Sequence, residues 1–119
     1  MGIRRIVPNI KSGHVDESRA FYEDIVGMHV AMNLDWVLTL ASPSNPTAQL
    51  TLIPGPEPSG THPDVSIEVD DVDSIYKRAI AAGIKIVYTL TEEAWGVKRF
   101  FMVDPDGWVV NVVSHIHRE

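Results

Sequence analysis

The chain has 119 residues, 45% hydrophobic and 22% charged, which suits one globular domain with a sizeable core. Ten basic residues against sixteen acidic ones leave a net charge of −6, which argues against a nucleic-acid partner and favours cationic ligands over anionic ones. Cysteine is absent, so disulfides, thiolate nucleophiles and cysteine-bound zinc are excluded; with no apolar run long enough for a signal peptide or a membrane span, a cytoplasmic location and no membrane partner are expected.

The elements follow in a repeated order. Residues 5–10 (RIVPNI) read as a strand. Asp16 is the expected N-cap of a helix to Val26, with Phe21 and Ile25 on its apolar face. Gly27 fits the left-handed residue that ends such a helix. Strands are expected at 29–34, 36–41 and 48–53, the last two joined by the turn-rich SPSNPT. The proline- and glycine-rich stretch 54–63 (PGPEPSGTHP) has no periodicity and reads as a linker.

The second half repeats the pattern. Residues 65–70 read as a strand, and Asp71 caps a helix running through Ala82, with Val72, Ile75, Tyr76, Ala79 and Ile80 at helical spacing. Gly83 ends it, and strands are expected at 84–89, 98–103 and 108–113. Ser18 to Gly27 and Ser74 to Gly83 span the same nine positions. The expected fold class is therefore α+β: two tandem β-α-β-β-β modules, residues 1–53 and 64–119, within one domain. Each helix covers one face of its sheet, so the two modules together would form a cupped mixed sheet with helices on the convex side. The concave side is where a small ligand is expected.

In the turn VDPDG, Pro105 presets φ, Asp104 accepts a backbone hydrogen bond and Gly107 takes positive φ; this is turn chemistry. The strand that follows alternates Val110 and Val112 toward the helix with Val109, Asn111 and Val113 toward the cup. Asn111 is polar among valines, and its simplest role is a hydrogen bond to a neighbour such as Asp64 or Ser66. The same parity puts Asn9, Gln49, Thr51, Asp64, Ser66, Glu68, Arg99, Phe101 and Asn111 on the cup wall. Ile6, Leu50, Leu52, Val65, Ile67 and Val69 fall to the helix side. Trp95, in the loop-like TEEAWG, suits a lid or stacking platform; Trp36 begins a strand and lines the cup, whereas Trp108 packs at the sheet end. His14 and His29 lie beside turns and are expected in solvent. The pairs His62/Asp64 and His115/His117 are two residues apart, a spacing that lets each pair share a strand face.

The paired modules, SRAFYEDIVGM at 18–28 and WGVKRFFMVDPDGWVVNVV at 95–113 resemble the vicinal oxygen chelate superfamily, and the resemblance covers nearly the whole chain. It implies glyoxalase, dioxygenase or antibiotic-resistance relatives, many of which hold one divalent metal with ligands from the first and last strands of each module. Val7, Thr51, Asp64 and Asn111 stand at those four places, and Asp64 alone of them is a strong donor, so no metal and no cofactor are expected there. The resemblance is therefore to bleomycin-resistance-type members. It implies a homodimer that binds a small molecule, cationic or planar, and sequesters an antibiotic or other amphipathic compound. The alternative is a lyase, isomerase or dioxygenase with an atypical metal site or none, with Asp64 or Glu68 as general base. A third reading is a subunit whose cup is unused.

Overall fold

The structure, a computed structural model, describes residues 2–116. It contains eight strands and two helical segments, an α+β fold. Two compact units divide the chain: one is Ile6–His62, and the other joins the described residues up to Arg5 with those from Pro63 onward.

In the first unit, β1 (Ile3–Lys11, whose opening residues belong to the second unit) pairs in parallel with β4 (Gln49–Ile53). β3 (Val37–Ala41) pairs antiparallel with β4 and with β2 (His29–Leu34), giving the order β2-β3-β4-β1. Leu38, Leu40 and Leu52 form the core, with Ile10, Val15, Tyr22, Met28, Val30 and Leu50 packed on it.

Helix α1 (Val15–Ala20) differs from expectation at both ends. Its N-cap is His14, with no side-chain cap bond, and Asp16 sits in the first turn. The start is instead organised by Ser12, whose hydroxyl accepts from the His14 amide at 3.2 Å and lies 3.3 Å from that of Ser18. From Phe21 to Val26 the helix widens to π geometry before Gly27, at φ 91°, ends it. The widened turn breaks the four-residue spacing. Tyr22 therefore faces the core, while Phe21 and Ile25 are exposed by 52% and 74%, the reverse of the face predicted for them. Ile6 is likewise exposed, not in the core: the residues packed under α1 are Ile10 and the leucines of β3 and β4.

The second unit has the same order. β5 (Val65–Val69) pairs in parallel with β8 (Val109–His115). β7 (Val97–Val103) lies antiparallel between β8 and β6 (Ile86–Glu92), giving β5-β8-β7-β6. Helix α2 (Val72–Ala81) packs Val72, Ile75, Tyr76 and Ala79 on Phe100, Val110 and Val112. Asp71 caps it, accepting from the Ser74 amide at 3.2 Å. Buried Ser114 secures the same end: its hydroxyl donates to the Val69 carbonyl at 2.8 Å and accepts from the Val72 amide at 3.1 Å.

The β7–β8 turn forms as its residues dictate. Asp104 Oδ1 accepts from the amides of Asp106 and Trp108, each at 2.9 Å, and Gly107 has φ 90°. Trp108 is 59% exposed and does not pack at the sheet end, because β8 begins only at Val109. Among the described residues no helix is long and apolar enough to cross a membrane.

Phe100 is fully buried, with its ring 4.9 Å from that of Tyr76, so Phe100→Ala should cost roughly 3–5 kcal/mol in denaturant unfolding. Asp71→Ala, which removes only the cap, should cost about 1 kcal/mol.

Candidate functional site

The polar face of the second unit is assembled by strand register. Ser66 lies opposite Asn111, Asn111 opposite Phe101, and Phe101 opposite Tyr88, so these four make one row across the sheet. Glu68, Val113, Arg99 and Thr91 make the next row. Strand alternation sends Val110, Val112 and Phe100 to the core under α2.

Asp64 fixes this register. Its amide donates to the Val109 carbonyl, and its Oδ2 accepts from the Val109 amide, both at 2.8 Å. The carboxylate thus substitutes for a backbone acceptor where β5 joins β8.

Asn111 is only 7% exposed. Its Nδ2 donates to Ser66 Oγ at 3.0 Å, the neighbour contact its sequence position suggested. Its Oδ1 is buried with no hydrogen-bond partner among the described residues. If the amide is turned over, the serine hydroxyl donates instead and the NH2 is left over, so one polar atom of Asn111 lacks a partner either way.

In the next row, Glu68 forms an ion pair with Arg5; Arg4 Nε lies 3.6 Å and His115 Nδ1 3.5 Å from its other oxygen. Arg4 also donates to Asp70 at 3.0 Å, and that bond holds the Asp70 carboxyl below the usual carboxylate range. Arg99, 3% exposed, bonds Glu93 at 2.6 Å, and Tyr88 donates its hydroxyl to the same carboxylate oxygen at 2.8 Å. The guanidinium carbon lies 5.2, 5.0 and 4.9 Å from the ring centres of Tyr88, Trp95 and Phe101. A cation caged by three aromatic rings and neutralised by one carboxylate is a rigid arrangement. Trp95 sits in the turn between β6 and β7, closed by Glu93 and Gly96, with its outer side in solvent.

Tyr88 and Glu93 were not among the residues singled out from the sequence. Pairing of β6 with β7 shifts register on both sides of Tyr88, so alternation along β6 cannot be read as a simple period of two. Glu93 had one usable signal, a carboxylate two residues from a loop tryptophan.

The first unit places its predicted residues separately. Asn9 pairs with Thr51, and Thr51 with Thr39, in a buried polar row in which Thr51 Oγ1 donates to Asn9 Oδ1 at 2.7 Å. His62 Nε2 donates to the Asn9 carbonyl at 3.1 Å, and its Nδ1 has no partner among the described residues. Gln49 folds back to donate to the Pro46 carbonyl at 2.8 Å, and Trp36 lies in the turn before β3 instead of starting that strand. His117 lies outside the described residues.

These side chains do not fit a bound divalent metal. Val7 has no donor, the Thr51 hydroxyl donates to Asn9, Asp64 Oδ2 accepts from the Val109 amide and Asn111 Nδ2 donates to Ser66, which leaves the Asn111 amide oxygen, a weak neutral donor, without a partner. Among the described residues no three His, Asp or Glu side chains gather as a ligand set.

Residues 3–112 match the family model of the Glyoxalase/Bleomycin resistance protein/Dioxygenase superfamily, and the chain belongs to that superfamily. No curated protein matches it in sequence. Among solved structures, a superfamily member from Vibrio splendidus is 22% identical with a TM-score of 0.70, over 95% of this chain and 99% of that one. The Mn(II)-bound glyoxalase from Novosphingobium aromaticivorans is 21% identical with a TM-score of 0.65; the match covers 98% of this chain but 41% of the other. A variant of homoprotocatechuate 2,3-dioxygenase from Brevibacterium fuscum is 20% identical with a TM-score of 0.73, over 97% and 33%. At these identities the likeness is one of fold.

Removing the Asp64 acceptor strands a partly buried amide, so Asp64→Ala should cost about 1–3 kcal/mol of unfolding free energy. Asp64→Asn keeps an acceptor oxygen and should cost less than half as much in the same urea titration.

Proposed function

We propose that this is a small-molecule-binding protein of the glyoxalase/bleomycin-resistance type, working without a catalytic metal. The ligand reaches the Ser66–Asn111–Phe101–Tyr88 row when the side chains over it move aside, because Asn111 is 7% and Phe101 0% exposed in the structure. The observation that carries the reading is the buried amide of Asn111 with one polar atom left over. Desolvating such an atom without a partner is costly, and a ligand group that bonds it recovers that cost.

The neighbouring groups indicate what kind of ligand suits the face. Glu68 is matched by Arg5 and Glu93 by Arg99, so local charge is largely balanced despite the acidity of the whole chain. Recognition then rests on stacking and hydrogen bonding more than on net charge, which favours a planar, amphipathic compound; an antibiotic of that shape is a natural candidate. The homodimer belongs to the same reading, and the exposed Phe21, Ile25 and Val26 of the first unit offer it an apolar surface. A cytoplasmic protein with neither nucleic-acid nor membrane partners is in keeping with the net charge of −6.

Calorimetric titration with bleomycin tests the reading. The wild type should bind, and Asn111→Leu should bind about tenfold more weakly while keeping its fold, the size of one hydrogen bond to a buried polar group. Equal affinity of the two proteins, or no binding by the wild type, would remove this ligand from this face. Protein purified without chelator should carry far less than one transition metal per chain by mass spectrometry; one tightly held metal per chain would favour an enzyme instead.

A further inference from the structure

The helix side of the second unit holds a groove of about 420 Å³, on the opposite face of its sheet from the Asn111 row. We propose that this groove binds a small anionic amphiphile, a monocarboxylate with an unbranched alkyl chain, and that Arg78 receives its head group. The proposal does not depend on the ligand of the Asn111 row.

The groove exists because α2 carries small residues where it leaves the sheet. Ala79 and Ala82, three apart, form one wall with Ile75; after Gly83 the chain turns back so that Ile84 lines the same space. Met102, Val103 and Val110 supply the sheet side, and the Asp104–Pro105 turn lines it as well. The lining is almost wholly aliphatic, and its volume falls in the range of small-ligand sites, roughly 300–1,000 Å³. An alkyl chain fits such walls because nothing in them asks for a hydrogen bond.

Two charged residues line the groove, and they are not equivalent. Asp104 is anchored in its own turn through one oxygen, Oδ1, which accepts from both the Asp106 and Trp108 amides. Arg78 forms no side-chain hydrogen bond or ion pair with any of the described residues. Three carbonyls of the last turn of α2 are also taken: Arg78, Ala79 and Ile80 accept from Ala82, Ile84 and Gly83. The side-chain donor at this groove is therefore the Arg78 guanidinium, whose planar fork matches a carboxylate. An aliphatic wall beside one available guanidinium is complementary to a fatty-acid-like molecule and opposed to a cationic one.

The probe is sodium decanoate, added below its micelle concentration and followed by methyl and amide NMR of the full chain. Saturable shifts are expected at Ala79, Ala82, Met102 and Val110, with decyltrimethylammonium binding more weakly. Arg78→Glu should weaken decanoate about fivefold, the scale of one partly exposed ion pair, and reverse the order of the two amphiphiles; Arg78→Gln should fall between. Ala82→Trp, which fills the groove from an exposed position, should abolish binding of both. Unchanged spectra away from the groove show that each variant is folded. Absence of shifts at the groove, or equal decanoate affinity for wild type and Arg78→Glu, would overturn the proposal. So would shifts of these methyls with protein concentration alone, since the groove would then hold a second copy of the chain.

Discussion

The bond between Asp64 and Val109 sets the register on which the rest of the second unit depends. A carboxylate oxygen takes the place of a backbone carbonyl where two parallel strands meet, so β5 enters beside β8 in one alignment. A slip of one residue would turn Asn111 into the core and Val110 or Val112 onto the polar face. In the observed register the valines pack under α2, and Ser66, Asn111, Phe101 and Tyr88 fall in line. The same bond engages one oxygen of Asp64, the strongest donor among the four expected metal-ligand positions.

The charged groups around this row follow a second rule. Buried or half-buried ions here come in matched sets: Glu68 with Arg5, and Glu93 with Arg99 and the Tyr88 hydroxyl. Burying Arg99 is costly unless it is paired and its hydrogen bonds are met. The aromatic cage adds attraction and leaves the guanidinium little room to move. Trp95 is thereby held on its inner side while its outer side faces solvent, which makes the turn a fixed edge of the face.

Much of this was legible in the sequence where local chemistry decides the outcome. Gly27, Gly83 and Gly107 mark the left-handed positions, Asp71 caps α2, and alternation along β8 sorts valines from Asn111. The failures have physical causes. A π-helical turn is invisible to a search for four-residue spacing, so Phe21 and Ile25 were assigned to the wrong face. Ile6 looks like a core residue until the helix is seen to cover other residues. Shifted pairing in β6 hid Tyr88. The role of Ser114, which joins β8 to the start of α2, has no local signature at all.

Binding of a ligand by the polar row of the second unit through Asn111 is the proposal on which the function rests. It is tested most directly by following the side-chain amide resonances of Asn111 and the indole resonance of Trp95 during a titration with bleomycin. Saturable shifts of both are expected, with the Asn111 amide protons exchanging more slowly once the leftover polar atom is bonded. Titration that moves resonances elsewhere and leaves the Asn111 amide unchanged would contradict it.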